Sequence, residues 1–287
     1  MARKIIVSLV VCICIFGAAF IGIYKLIEKK AQTLPVNDPI AFVQQGHDAK
    51  KKVLVCIGDS LTHGTVSVSY VDMLSSRLSN RGIVVINAGI NSQLAYNVTK
   101  RLDAIVACRP DYITILIGSN DAVASLSPYS SRRYIRQMKL PQPPTLKWYR
   151  ENLLEICREL SCRTHAKIAL ISLPPIGERF DHPAFAASEA YSRVIRDVAL
   201  SERLTYLPLH ENMTAFLRAR NPHPLYAFRD DKLLMYIAIA RHFLLRQSYD
   251  DISRTNGFVL LTDHLHLNST GAGMVADLIE NFVTKAD

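Results

Sequence analysis

The stretch VCIGDSLTHG, residues 55–64, places a serine directly after a short apolar run that is typical of a buried strand. If that strand ends at Ile57 and a helix follows, Ser60 lies at the carboxyl edge of a parallel sheet, where open α/β sheets bind ligands. This position suits a nucleophile. A second interpretation, that Ser60 or Thr62 only caps the helix, stays open from these residues alone. The segment is neither a GxSxG elbow, since Thr62 replaces the second glycine, nor a P-loop, since the lysine is missing.

A second polar cluster lies near the end of the chain, in LLTDHLHLNSTGAG, residues 260–273. Asp263 precedes His266 by three residues, close enough for a carboxylate to accept the imidazole N–H and fix the tautomer that deprotonates a serine. The alternative is a surface segment before a helix capped by Ser269 or Thr270, in which His264 and His266 have no catalytic role.

Hydrolysis by a serine also requires hydrogen-bond donors for the negatively charged oxygen of the tetrahedral intermediate. Two turns could supply them: INAGINS, residues 86–92, where Gly89 allows a close backbone approach, and LIGSNDA, residues 116–122, where Asn120 offers a side-chain amide. Each turn also has a structural interpretation, with Gly89 serving a tight turn and Asp121 capping the next segment.

The elements that must position these residues alternate between strand and helix. Short β-branched runs predict strands at 53–57, 83–86, 112–117 and 168–173, with a weaker one at 204–209. Helix-like segments lie between them at 69–79, 95–108, 146–161 and 188–202. This alternation predicts an α/β fold, a doubly wound parallel sheet of about five strands with helices on both faces. Strands one, two and three would then end in polar turns at the same sheet edge.

Four blocks, three at the ends of predicted strands and the fourth before a C-terminal helix, make the sequence resemble the SGNH or GDSL hydrolase family over about residues 52–285. The blocks are Gly58-Asp59-Ser60-Leu61, Asn87-Ala88-Gly89, Gly118-Ser119-Asn120-Asp121 and Asp263-His264-Leu265-His266. The resemblance implies a three-layer, flavodoxin-like α/β/α fold and a serine ester hydrolase (lipase or esterase type) that needs no cofactor or metal.

The resemblance also implies a role for each matched residue. Ser60 would be the nucleophile, His266 the general base and then acid, and Asp263 the residue that orients the imidazole. The oxyanion would be held by the N–H groups of Ser60 and Gly89 and by the Asn120 side chain. His264 stands where many members have a glycine, and the spacing from Asp263 favours His266 as the base.

The first fifty residues differ from the rest in composition. After a short tail, 1–4, residues 5–24 carry no charge and are long enough to cross a bilayer, which predicts a transmembrane signal anchor. A cleaved signal peptide is the alternative. Residues 25–50 are then predicted as a linker and 51–287 as the hydrolase domain, placed at the membrane on the exported side. The net charge of +9 is not concentrated in a basic, aromatic run of the kind that binds nucleic acid.

The substrate depends on two further segments. Residues 122–145, AVASLSPYSSRRYIRQMKLPQPPT, predict a loop long enough to act as a lid, with basic side chains that could meet phosphate head groups. The apolar run 233–245 predicts a helix over the cleft or one more core helix. Together with the predicted anchor, these two segments favour a lipid or medium-chain acyl ester, such as a lysophospholipid, as the substrate. The alternatives are an O-acetyl esterase or acyltransferase acting on an envelope polysaccharide, and a non-catalytic binding module of the same fold.

Overall fold

A five-stranded parallel sheet forms the centre of the domain, as the sequence predicts. A computed structural model of the chain describes residues 32–46, 48 and 50–285. The strands run in the order β2-β1-β3-β4-β5. Their bounds are β1 Lys52–Gly58, β2 Ile83–Gly89, β3 Tyr112–Leu116, β4 Lys167–Ile171 and β5 Thr205–Leu207.

The central strand β1 explains why polar residues gather at one edge. Residues 53–57 are buried on both faces of the sheet, which is why the strand reads as a continuous apolar run. At its carboxyl end, Gly58 pairs with Gly89 of β2 and with Leu116 of β3. The turns after all three strands therefore leave the sheet side by side.

Helices cover both faces of the sheet in two groups that pack among themselves. One group contains the helices 70–78, 209–220 and 269–285, and the other contains 95–99, 102–107, 146–163 and 183–201. The helices of the described residues are α1 Pro39–Gln45, α2 Ser60–His63, α3 Tyr70–Leu78, α4 Ala95–Thr99, α5 Leu102–Ala107, α6 Ser119–Ser125, α7 Pro128–Met138, α8 Leu146–Arg163, α9 Pro183–Ser201, α10 Leu209–Arg220, α11 Leu233–Leu245, α12 Tyr249–Asn256 and α13 Ser269–Lys285.

The helix predicted at 95–108 is two helices, α4 and α5. Arg101 leaves helical geometry with φ −136°. Its buried guanidinium donates to the Gln93 side chain at 2.7 Å and to the Gly58 carbonyl at 3.1 Å. The break thus lets one arginine tie the end of β1 to the turn that follows β2.

The prediction of a long loop at 122–145 is wrong, because most of this segment is helical. Helix α6 runs on to Ser125, and α7 begins directly after it. Ser127 caps α7 through the Ser130 N–H at 3.1 Å, and Pro128 occupies the first turn, where its missing N–H costs nothing. Only residues 139–145 connect α7 to α8 without regular structure.

The apolar run 233–245 forms helix α11, as predicted, but not a core helix. Only Ala238 and Ile239 of this helix are buried, and Ala238 packs with Tyr249 and Ile252 of α12. Apolar side chains on the outer face are 40–65% exposed, namely Leu233, Tyr236, Ile237, Leu244 and Leu245.

Part of the predicted linker 25–50 belongs to the folded domain, which begins at Pro35. The Asn37 carbonyl accepts the Asn87 N–H at 3.0 Å, and the Asn37 side chain donates to the Val85 carbonyl at 3.0 Å. Helix α1 then packs against β2 and α5. The predicted anchor at 5–24 lies outside the described residues, and within those residues no helix is both long and apolar enough to span a bilayer.

Candidate active site

Ser60 is the first residue of α2, and the cap of this helix is Asp59. The Asp59 carboxylate accepts the Leu61 N–H at 3.0 Å. The interpretation of Ser60 as a capping residue is therefore wrong. Ser60 instead lies where β1 turns into a helix, with its own side chain turned toward the C-terminal segment.

Ser60, His266 and Asp263 form one hydrogen-bonded chain. Ser60 Oγ lies 3.0 Å from His266 Nε2, and His266 Nδ1 lies 2.8 Å from Asp263 Oδ2. All three side chains are buried. Because the carboxylate accepts a proton from Nδ1, Nε2 is left as an acceptor for the serine hydroxyl. This arrangement can generate a nucleophilic serine.

The carboxylate of Asp263 is held in its charged form. Burial by itself would raise the pKa of this carboxyl group. The His266 imidazole and hydrogen bonds from the backbone N–H groups of Leu265 (2.7 Å) and His266 (2.8 Å) outweigh that effect. The pKa of Asp263 therefore lies below its usual value. One oxygen is thus fixed by the backbone, and the other is aimed at the imidazole.

Glu178 anchors the segment that carries Asp263 and His266. This buried carboxylate accepts three successive backbone N–H groups, from Val259 at 2.8 Å, Leu260 at 2.7 Å and Leu261 at 2.9 Å. Sequence reasoning missed it, since a single glutamate in PPIGERF, residues 174–180, has no motif around it.

His264 lies apart from the reacting groups. Its ring packs edge-on against Phe228 and Phe258, with centroid distances of 5.6 and 5.7 Å. Burial lowers its pKa, and its Nδ1 has no hydrogen-bond partner among the described residues. The neutral ring therefore serves as packing under the segment 259–266.

Gly89 and Asn120 lie beside Ser60, but their donors are already engaged. The Gly89 N–H donates to Asn87 Oδ1 at 3.0 Å. The Asn120 amide donates to Asp59 Oδ2 at 3.1 Å and to the Gln93 carbonyl at 3.0 Å. Since a primary amide has two N–H groups, both are used. Their predicted oxyanion roles stay predictions that require these bonds to open or to be shared.

Two other N–H groups at this edge are open. Neither the Ser60 N–H nor the Ser92 N–H has an acceptor within the described part of the chain. Ser92 has φ 65°, a left-handed conformation that is strained for a side chain other than glycine. The turn around it is fixed, because the Ile90 N–H donates to the Gly58 carbonyl and Gln93 holds Asn120. Sequence reasoning missed Ser92, and no residue pattern marks its backbone geometry.

Two further carboxyl groups lie beneath the site. Burial raises the pKa of Asp59 to about 6 and that of Asp121 to about 7. Asp121 accepts the Ala95 N–H through one oxygen at 3.1 Å, and its other oxygen is unpaired within the described residues. Neither carboxyl is in the chain of contacts that links Ser60 to Asp263.

Comparison of the sequence with models of protein families shows which family the chain belongs to. The model of the GDSL-like lipase/acylhydrolase family matches residues 56–273, from β1 into α13. The chain belongs to this family. Membership makes it a GDSL-type esterase or acylhydrolase, and the match contains Ser60, Asp263 and His266. Comparison with curated protein sequences gave no significant match.

Solved structures share the fold of this GDSL hydrolase. The acetyl xylan esterase AlAXEase superposes with a TM-score of 0.59 at 19% identity, covering 80% of this chain and 99% of that one. A lipase/acylhydrolase from Enterococcus faecalis superposes with a TM-score of 0.54 at 21% identity, covering 82% of this chain and 96% of that one. An acetylxylan esterase from Geobacillus stearothermophilus superposes with a TM-score of 0.55 at 19% identity, covering 79% of this chain and 92% of that one. At these identities, the similarity establishes the common fold.

Proposed function

We propose that this protein hydrolyses carboxylic esters through a covalent acyl-enzyme on Ser60, and that its substrate is a lipid-type or medium-chain acyl ester at a membrane surface. The hydrogen-bonded chain from Ser60 through His266 to Asp263 supports the chemistry. The exposed apolar helix α11 beside the site supports the substrate class. The predicted anchor at residues 5–24 would hold the domain at the membrane, on its exported side.

The reaction follows from the positions of the three side chains. Ser60 Oγ attacks the ester carbonyl carbon while His266 Nε2 takes the hydroxyl proton, and Asp263 stabilises the resulting imidazolium. Collapse of the tetrahedral intermediate transfers that proton to the departing alcohol and leaves an acyl group on Ser60. A water molecule, deprotonated by His266, then attacks the acyl carbon and releases the acid and the free serine.

The negative charge of the tetrahedral intermediate needs donors at the same edge. The Ser60 N–H, on the nucleophile itself, and the Ser92 N–H, in the turn after β2, can take this role without breaking a hydrogen bond. The Asn120 amide can join them when its bond to Asp59 or to Gln93 is shared. One such donor contributes about 3 to 4 kcal/mol to transition-state stabilisation.

Contacts through Tyr249 link α11 to the site. Tyr249 of α12 stacks on His242 of α11 at a centroid distance of 4.0 Å and donates to the Thr65 carbonyl at 2.8 Å, just beyond α2. Phe228, in the segment before α11, packs on His264 at 5.6 Å. An acyl chain that leaves Ser60 in this direction would meet apolar side chains.

A second candidate function is removal of acetyl groups from a carbohydrate. It draws support from the acetylxylan esterases among the structural neighbours, which share the fold with this chain. The same catalytic residues could also transfer the acyl group to a second alcohol. The exposed apolar face of α11 fits a substrate that is taken from a membrane better than one that is part of a carbohydrate, and for that reason we favour the longer acyl chain.

A series of p-nitrophenyl esters from acetyl to palmitoyl tests the proposal. We expect the purified full chain in mild detergent to give its highest kcat/KM at six or more carbons, and Ser60→Ala to be inactive on every ester. A maximum at acetyl would reject the lipid substrate and favour sugar deacetylation. Reaction of the wild type, but not of Ser60→Ala, with a fluorophosphonate probe separates an enzyme from a non-catalytic binding module.

A further inference from the structure

The outer face of α11 is a continuous apolar surface. It consists of Leu233, Tyr236, Ile237, Leu244 and Leu245, and we call it the α11 face. Leu233, Ile237 and Leu244 follow one another at intervals of four and seven, so they lie along one side of the helix, and Tyr236 and Leu245 flank them. Leu225 and Tyr226, 68% and 49% exposed, precede it. Scattered exposed leucines are ordinary, but a grouped set on one helix marks an interaction surface.

The charged side chains of α11 itself are positive. Residues 232–249, KLLMYIAIARHFLLRQSY, contain no aspartate or glutamate. Arg241 lies within the helix and Arg246 at its C-terminal end, whereas Lys232 at the N-terminal end packs over the Tyr134 ring at 5.4 Å.

Acidic residues lie just outside this stretch, and two of them are paired. Asp231 pairs with Arg229 at 2.8 Å and caps the Leu233 N–H, and Asp251 pairs with Arg254 at 3.1 Å. An apolar stripe with arginines beside it is the pattern of a helix that lies in the interface of an anionic membrane.

The inner face fixes α11 to the domain, so the outer face is presented on a rigid support. Ala238 packs with Tyr249 and Ile252, Leu234 packs against the main core, and His242 Nδ1 lies 2.8 Å from the Gln247 carbonyl. Tyr249 is in turn bonded to Thr65, close to the nucleophile helix α2.

We infer that the α11 face inserts into the interfacial region of an anionic lipid bilayer and so places the edge of the sheet that carries Ser60 next to the membrane. This inference rests on the proposed function for its purpose, but the surface binds lipid whether or not Ser60 reacts. Leu244 and Leu245 would lie among the acyl chains, and Arg241 and Arg246 would lie at the level of the lipid phosphates.

Quenching of tryptophan fluorescence by brominated lipid tests the inference directly. Leu245→Trp places a reporter on the α11 face, and Leu200→Trp places one on α9 as a matched control, since the two leucines are 65% and 68% exposed. The only native tryptophan, Trp148, is buried and gives a common background. The full chain is used in vesicles of dibrominated phosphatidylcholine with about one quarter phosphatidylglycerol.

The expected result is quenching roughly threefold stronger for Leu245→Trp than for Leu200→Trp, because side chains of an interfacial helix enter the acyl boundary by about 5–10 Å. Adding Arg246→Glu to the Leu245→Trp chain is expected to weaken the quenching, because the new carboxylate is repelled by the anionic lipid. Equal quenching at the two positions would overturn the inference. So would a dimer in sedimentation equilibrium that Leu244→Ser with Leu245→Ser abolishes, because the α11 face would then bind a second copy.

A failure of the proposed function is distinguishable from a failure of this inference. The quenching is repeated in the Ser60→Ala chain, where it is expected to be unchanged. Strong quenching with no ester hydrolysis by wild type would reject the enzymatic proposal and leave the lipid surface intact. Normal hydrolysis of long-chain esters without quenching would reject only the inference that the α11 face binds the bilayer.

Discussion

His264 and His266 are separated by one residue, yet their imidazoles lie in different surroundings. His266 Nε2 is 3.0 Å from Ser60 Oγ, whereas the His264 ring lies between Phe228 and Phe258. The difference arises because Asp263 binds the His266 N–H groups of both ring and backbone. Only one of the two histidines is therefore positioned to move a proton.

Replacing the two histidines in turn tests this assignment. We expect His266→Gln to lower kcat by about 10⁴-fold or more, since the serine then has no base. His264→Phe keeps the ring and removes an unpaired nitrogen, so most of the activity is expected to remain. Steady-state kinetics on one soluble ester measures both. If His264→Phe were the inactive variant and His266→Gln the active one, the base would be His264.

Gly89 is expected to tolerate no side chain. A Cβ atom there would overlap the His63 backbone nitrogen and lie 2.7 Å from the Thr62 carbonyl carbon. Because these contacts are backbone atoms of α2, Gly89→Ala must displace the nucleophile helix. We expect a lower melting temperature and at least about a tenfold loss of kcat, the scale that displacing a reacting group can produce.

Gly273→Ala is the matched control for Gly89→Ala. Nothing lies within 4 Å of a Cβ added at Gly273, which is inside α13. Alanine in a helix is favoured over glycine by about 1 kcal/mol, so this variant is expected to be slightly more stable and fully active. Equal behaviour of the two variants would show that the close packing at Gly89 has no consequence.

Glu178 is expected to act on the site through the backbone of residues 259–261. Glu178→Met removes the acceptor of three buried N–H groups and is expected to lower the free energy of unfolding by about 3 kcal/mol or more. Glu178→Gln retains an oxygen for Leu260 and Leu261, so its loss should be intermediate. Urea unfolding measures both, and kcat is expected to fall in the same order because Asp263 and His266 follow this segment.

An exposed glutamate supplies the comparison for Glu178. Glu189 on α9 pairs with Arg193 at 3.0 Å, and both side chains are more than half exposed. Glu189→Met is expected to change the free energy of unfolding by less than about 0.5 kcal/mol. A loss in Glu178→Met no larger than that in Glu189→Met would contradict the anchoring role.

Sequence patterns predict this fold well where one residue run determines one element. The strand runs are continuous and apolar because the sheet is covered on both faces, and the polar turns at their ends mark the edge that carries Ser60. The patterns fail where long-range contacts decide. Asn37 bonds to β2 across the fold, so a segment that looks like a linker is part of the domain.

In the candidate site too, local spacing is predictable from the sequence and long-range contacts are not. Spacing identifies Asp263 and His266, because three residues bring a carboxylate to an imidazole. It does not show that the Gly89 N–H is taken by Asn87, or that both amide protons of Asn120 are engaged. Those bonds depend on how three strand ends meet. The open Ser92 N–H follows from one backbone dihedral angle, which no side chain signals.

Asp121 is expected to make the stability of the protein depend on pH. Burial raises its pKa from 3.8 to about 7, so the folded state binds a proton more tightly than the unfolded chain does. Its contribution to stability is fully present below pH 4 and is lost as the pH rises through 7. Asp121→Asn carries no charge at any pH. We therefore expect the melting temperature of this variant, relative to wild type, to increase between pH 5 and pH 8.

Between pH 5 and pH 8, the melting temperature of Asp121→Asn is expected to rise by at least about 2 °C relative to that of wild type, which corresponds to roughly 1 kcal/mol in a domain of this size. Differential scanning calorimetry at matched ionic strength measures it. Asp103→Asn is the control, because the Asp103 side chain is 91% exposed and needs no desolvation. A difference between Asp121→Asn and wild type that stays constant from pH 5 to pH 8 would mean that Asp121 is ionised across this range. Its unpaired oxygen would then have to be stabilised by the solvent.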